Sequence, residues 1–129
     1  MVRATQQIVV VVDDDSQVRE AIEGLLKSAE FGPVAFSSAE SALASGLLAQ
    51  SKCLITDVRL EGMQGLDLQR QVKDAYPMLP VIIITGHLDE EIRQSALSDG
   101  AVAVLYKPLN PDDLLQAIHV AIANSNEVT

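Results

Sequence analysis

Residues 9–16 read VVVVDDDS. With Ile8 ahead of them, the valines make an apolar run too short for a helix and with no polar alternation. β-branched side chains are stiff and fit a pleated sheet. A run without alternation is what a strand buried on both faces requires. Three aspartates follow at once, and carboxylates need water or a cation. The stretch therefore predicts an internal strand whose carboxyl end opens onto an acidic site.

The same alternation recurs along the chain. After the first strand, Val18, Ala21, Ile22, Leu25, Leu26 and Ala29 follow helical spacing, with Asp15 as the predicted cap. Phe31-Gly32-Pro33 breaks that helix, and Val34–Phe36 is a brief second strand. Ser37 and Glu40 form a capping-box pattern for the second helix. Cys53–Thr56 is the third strand. Gly62 and Gly65 mark the loop after it, and Leu66, Leu68, Val72 and Ala75 predict the third helix. Val81–Ile84 is the fourth strand. Asp89, Glu90 and Glu91 place acid at the start of the fourth helix, where the helix dipole favours it, and Gly100 ends it. Val102–Tyr106 is the fifth strand. Asn110-Pro111 starts the last helix, whose apolar face is Leu114, Leu115, Ile118, Ala121 and Ile122.

Strand and helix alternate five times. The predicted fold is a doubly wound (βα)5 sandwich of the flavodoxin-like class, with a parallel sheet in the order 2-1-3-4-5. A length of 129 residues suits one domain, here 1–129 with a core of about 7–123. Residues 124–129 read as a polar tail or the start of a linker. Hydrophobic residues make up 48% and aromatic residues 3%, so the core is aliphatic. A net charge of −9 argues against direct nucleic-acid binding by this domain. A single cysteine, Cys53, excludes an internal disulfide. No apolar stretch is long enough to span a membrane and the start carries no signal segment, so a cytoplasmic location is expected.

The polar residues at the strand ends share one chemistry. Asp13, Asp14 and Asp15 follow the first strand, Asp57 the third, Thr85 the fourth and Lys107 the fifth. In this strand order the ligand crevice lies between strands one and three, so Asp13, Asp14 and Asp57 converge beside Thr85 and Lys107. Clustered carboxylates call for a proton or a cation. Oxygen ligands of this kind suit Mg²⁺. Cation, ammonium and hydroxyl together describe a site that stabilises a phosphoryl group and leaves one carboxylate free to attack.

VVVVDDD, LITDVRLEGMQGLDL, VIIITGH and LYKPL, in this order and at these spacings, resemble the receiver domain of two-component response regulators over about residues 7–123. TGH and SSAESAL lean toward the nitrogen-fixation and LuxR-type regulators. The resemblance implies that Asp57 accepts a phosphoryl group from a histidine kinase or phosphotransfer protein. Asp14 then ligates Mg²⁺ directly, Asp13 mainly through water, and the Arg59 carbonyl completes the protein ligands. Lys107 pairs with a phosphoryl oxygen, Thr85 moves to hydrogen-bond it, and the Lys107–Pro108 bond is cis. It further implies a signalling domain that catalyses its own phosphorylation and dephosphorylation, rather than a conventional enzyme. Its altered surface, and a possible homodimer, would use the fourth helix, fifth strand and fifth helix. No helix-turn-helix is visible after Ala123, so the output domain is expected outside this chain.

Three departures from the family pattern stand out. Val104 stands where an aromatic switch residue is usual, and Tyr106 lies two residues on. Glu61 stands where proline is common. Arg59, Glu61, Gly86 and His87 flank the pocket, and in this family large side chains at such positions, here Arg59 and His87, tune phosphoryl lifetime. Two other readings are open. One is a small Mg²⁺-dependent phosphatase of the haloacid dehalogenase type, with Asp13 as nucleophile and Asp15 as acid/base. The other is a receiver-like interaction module that is never phosphorylated.

Overall fold

Five parallel strands form a single sheet in the order β2-β1-β3-β4-β5. In the computed structural model, which describes residues 6–87 and 89–126, the strands are β1 (Ile8–Val12), β2 (Gly32–Phe36), β3 (Cys53–Asp57), β4 (Val81–Thr85) and β5 (Ala103–Tyr106). The helices are α1 (Ser16–Ser28), α2 (Ala39–Ala44), α3 (Gly65–Ala75), α4 (Glu90–Ser98) and α5 (Pro111–Asn126), with a short 3-10 turn at Leu48–Gln50. The readings for residues 1–5 and for the tail beyond Asn126 fall outside the described residues.

All four valines of β1 are fully buried, because the strand lies between β2 and β3 with a helical layer on each side. Each such side chain contributes about 1.5 kcal/mol of transfer free energy. Alternation along the strand sends Val10 and Val12 to one face and Val9 and Val11 to the other. Val10 and Val12 pack with Leu54, Ile83 and residues of α2, α3 and α4, including Ala42, Leu68 and Ala96. Val9 and Val11 pack with Ile55, Ile84 and residues of α1 and α5, including Leu26 and Ile118. The expected doubly wound sandwich is therefore the observed fold, with α2–α4 covering one face and α1 and α5 the other.

Local chemistry explains most boundaries. Asp15 caps α1 by accepting from the Gln17 amide at 2.9 Å. Asp89 caps α4 through the Glu91 and Ile92 amides, and the Asn110 side chain accepts from Asp112 and Asp113 at the start of α5. At α2 the reading is corrected. The cap is Ser38, which accepts from the Ser41 amide, so the Ser37–Glu40 box does not form and Glu40 is left for another partner. Asp57 and Thr85 belong to β3 and β4, one residue later than predicted, because Val58 N–H donates to Ile84 O and Lys107 N–H to Thr85 O, extending the ladder. β2 starts earlier, at Gly32, and β5 later, at Ala103 with Val102 exposed. On α3 the inward position after Leu68 is Gln69, 1% exposed, whereas Ala75 faces solvent.

Candidate functional site

The carboxyl ends of β1, β3, β4 and β5 deliver the predicted residues to one crevice. Ligand oxygens of Asp13, Asp14 and Asp57 all lie within 4.8 Å of one another. Their burial differs sharply. Asp13 is 0% exposed, the Asp57 side chain 9%, and Asp14 is open to solvent. Asp13 forms the floor, Asp57 the wall and Asp14 the mouth.

Lys107 reaches across this group. Its Nζ lies 2.7 Å from Asp57 Oδ2 and 2.9 Å from Asp13 Oδ2. The first contact has the geometry of a hydrogen bond. The second has ion-pair distance without that directionality, and Asp13 Oδ2 has no hydrogen-bond donor among the described residues. Burial is the main influence on Asp13 and raises its carboxyl above the ordinary 3.8, against the opposing pull of Lys107. Burial also works against the Lys107 ammonium, but its hydrogen bond to Asp57 and its ion pair with Asp13 outweigh it and raise its pKa above 10.5. One ammonium thus serves two buried carboxylates and satisfies one of them incompletely. That shortfall, with three hard oxygen donors converging, is what a divalent cation fits.

Backbone contacts hold the frame. Asp13 N–H donates to Phe36 O, tying the end of β1 to β2. Asp13 Oδ1 accepts from the Asp15 amide at 2.9 Å, and Asp57 Oδ1 from the Arg59 amide at 3.3 Å. Gly65 packs so closely under the end of β3 that a Cβ there would sit 1.9 Å from Asp57 O, so only glycine starts α3 at this distance. The Lys107–Pro108 peptide is cis. Thr85 is 1% exposed, and its Oγ1 accepts from the His87 amide at 3.2 Å. Arg59, Glu61, Gly86 and His87 are all exposed around the opening.

Asp15 stands apart from the ligand group, its side chain committed to capping α1. Val104 is half-buried in the α2–α4 face of the core, next to Ile83 and Ala96 in the same cluster. Tyr106 ends β5 in register with Thr85. Three supporting residues were not foreseen. Arg19 Nη1 donates to Asp13 O at 2.7 Å, the Gln64 amide donates to Leu60 O at 2.6 Å, and Glu40 reaches the Met63 amide. Each acts on backbone in another segment or turn, which leaves no periodic signature in sequence.

Comparison with known proteins agrees with this geometry. Residues 9–119 match the family model described as the response regulator receiver domain. Nodulation protein W of Bradyrhizobium diazoefficiens is 39% identical over 92% of this chain and 52% of its own length. Response regulator protein TodT of Pseudomonas putida is 38% identical over 89% of this chain and 51% of its own. The transcriptional regulator NtrC of Salmonella typhimurium is 38% identical over 93% of this chain but 26% of its own. The chain thus spans about half the length of the first two relatives and about a quarter of the third. Among solved structures, a receiver domain protein from Clostridium thermocellum superposes with a TM-score of 0.88 at 30% identity, covering 93% of this chain and 97% of that one. The fold, the order of the acidic, threonine and lysine strand ends, and these matches together make the chain a member of the response regulator receiver domain family of two-component signal transduction.

Proposed function

We propose that residues 1–129 act as one phosphoacceptor switch domain in which Asp57 takes a phosphoryl group from a histidine kinase or phosphotransfer protein, and that it works in the cytoplasm. The observation that carries this reading is the difference between the two buried carboxylates. Asp13 is wholly enclosed beneath Lys107, whereas Asp57 keeps an exposed edge and pairs with the ammonium. Asp57 can meet an incoming phosphorus and Asp13 cannot. The same contrast speaks against the phosphatase reading, which needs Asp13 as nucleophile and a free Asp15. Asp13 is enclosed and Asp15 caps a helix.

In the transfer an Asp57 carboxylate oxygen attacks phosphorus, the bond from phosphorus to the donor breaks, and the donor leaves with the electron pair. The residues that would hold Mg²⁺ are Asp13, Asp14, Asp57 and the Arg59 carbonyl. The cation supplies charge neutralisation at the phosphoryl oxygens. Lys107, already beside Asp57, neutralises the acceptor and then a phosphoryl oxygen. Thr85 offers its hydroxyl proton from the neighbouring strand end. An apolar groove between α1 and α5, lined by Val18, Ala21, Leu25, Leu109 and Pro111, opens next to Lys107 and offers the donor a surface beside the acceptor.

The test is to label the chain with acetyl phosphate and Mg²⁺, trap the acyl phosphate by borohydride reduction and map the peptide. Modification at Asp57 supports the switch, modification at Asp13 supports the phosphatase, and no modification supports an interaction module. Cation binding has its own check. Mg²⁺ relieves carboxylate repulsion in the folded state only. At tenfold its dissociation constant it raises unfolding free energy by about 1.4 kcal/mol. Thermal melting that ignores Mg²⁺ at that concentration rules the site out.

The reading extends to the output. Thr85 moving toward the phosphoryl group would vacate space beside β5. Val104 is short and stiff. Tyr106 lies two residues on, so strand alternation puts it on the same side of the sheet. Tyr106 therefore shapes the partner face formed by α4, β5 and α5, through which a homodimer or an output domain outside this chain would be engaged. Tyr106→Ala is expected to weaken phosphorylation-dependent association in sedimentation while labelling continues. Val104→Ala is expected to cost about 0.5–3 kcal/mol of stability and leave association intact. The opposite pattern would assign the switch to Val104.

A further inference from the structure

Glu40 stands in the first turn of α2, yet it neither closes a capping box nor pairs with a cation among the described residues. Its Oε2 accepts a 2.9 Å hydrogen bond from the Met63 amide, in the loop that joins Asp57 to α3. The loop is shaped around this carboxylate. Gly62 has a φ of +76°, and a Cβ on it would lie 2.5 Å from the same Glu40 oxygen. The Met63 bond is also the main reason the Glu40 carboxyl sits below its ordinary 4.5.

Outside the loop, Val58 N–H also donates to Ile84 O of β4, and the Gln71 side chain of α3 reaches Met63 Sδ at 3.7 Å. The remaining bonds are internal to the loop or come from its flanks. The Gln64 amide donates to Leu60 O at 2.6 Å, Gly65 N–H donates to Val58 O at 2.9 Å, and the Arg59 amide donates to Asp57 Oδ1. Val58 and Leu60 are buried in the core and anchor the base of the loop, while Glu40 holds its tip at Met63. Among the described residues, no other helix gives a side-chain hydrogen bond to its backbone. Arg59 stands exposed between the buried Val58 and Leu60, at the base of the loop whose tip Glu40 holds.

We propose that Glu40 is a positioning residue for the phosphoacceptor site: by clamping Gly62 and Met63 from α2 it fixes the loop that presents the Arg59 carbonyl and the Asp57 carboxylate to a divalent cation. The inference rests on the proposed role of Asp57. It adds a residue that lies outside the ligand group and touches neither cation nor phosphoryl group.

The test uses the whole chain as wild type, Glu40→Ala and Glu40→Gln. Amide hydrogen exchange at Met63 reads the bond. A MgCl2 titration followed by backbone amide shifts of Asp13, Asp14 and Asp57 reads the site. Acetyl phosphate labelling is measured in parallel. In Glu40→Ala, Met63 exchange is expected to speed up and the Mg²⁺ dissociation constant to rise about threefold or more, the scale of one lost hydrogen bond. Glu40→Gln loses the charge but keeps a carbonyl acceptor, and is expected to return both readings to near wild type. An unchanged Mg²⁺ constant in Glu40→Ala overturns the proposal. An equal loss in Glu40→Gln also overturns it, because the effect would then come from charge alone. A wild-type chain that binds Mg²⁺ with this Glu40 dependence, yet takes no phosphoryl group, supports the clamp and overturns the phosphoacceptor reading. A wild-type chain that binds no Mg²⁺ overturns both.

Discussion

Asp57→Asn is expected to reduce acetyl phosphate labelling to the level of a blank while the chain stays folded. The amide keeps the shape of the carboxylate but cannot form an acyl phosphate by attack on phosphorus. Asp13 cannot substitute, because its side chain is fully buried under Lys107. The fold tolerates the change for an electrostatic reason. Asp57 is among the charges that raise the Asp13 carboxyl, so its removal relieves repulsion, and Lys107 remains available to Asp13. Unfolding free energy is expected within about 1 kcal/mol of wild type. Labelling is followed by intact mass and stability by urea denaturation. Wild-type labelling in the mutant would remove Asp57 from its assigned role.

Lys107→Met is expected to act on both chemistry and stability. Among the described residues the ammonium is the one cationic group paired with the acceptor, and removal of one preorganised donor from such a site costs about a hundredfold in rate. The folded state suffers as well, because the fully buried Asp13 carboxylate loses its ion-pair partner. A buried charge stripped of its partner costs about 3 kcal/mol at the lower end, the appropriate end for a lysine that is itself partly exposed.

The pH dependence gives this second prediction a sign. The folded pKa of Lys107 is raised above 10.5, so its contribution is fully present below that value and is lost as pH rises through the folded value. The mutant should therefore show no such alkaline loss. The Asp13 carboxyl is raised above 3.8, so the folded state binds its proton more readily than the unfolded state, and stability from this group increases as pH falls through the folded value. Without Lys107 its lowering pull on Asp13 is gone and only the Asp15 amide still opposes burial, so the rise is larger and the mutant should recover part of its deficit in acid. Urea unfolding of both chains across pH reads all of this. Equal stability at pH 7 together with wild-type labelling would sink the assignment.

The architecture was legible from residues 9–16 outward because a doubly wound sheet writes itself as local pattern. Strands buried on both faces need continuous β-branched runs, and helices that cover one face need apolar residues at helical spacing. Ile8–Val12, Cys53–Asp57 and Val81–Thr85 carry the first pattern, and α1 and α5 carry the second. Strand order then brought Asp13, Asp14, Asp57, Thr85 and Lys107 to one end of the sheet, because parallel strands all present their carboxyl ends on the same side.

Distances and depth were decided only by packing. Asp15 was legible as the cap of α1, but nothing in the run of three aspartates says that Asp13 is the enclosed floor and Asp14 the open mouth. That ranking depends on how far β1 extends under Lys107 and on where α1 begins. Glu40 shows the limit most clearly. Its spacing from Ser37 predicted a cap for its own helix, but Ser38 took that role, and the carboxylate turned to a loop 23 residues away. Local sequence determines what a side chain can bond. Which partner it meets depends on the folded backbone, because competing acceptors and donors differ by about 1 kcal/mol and a shift of one residue at a helix start is enough to choose between them.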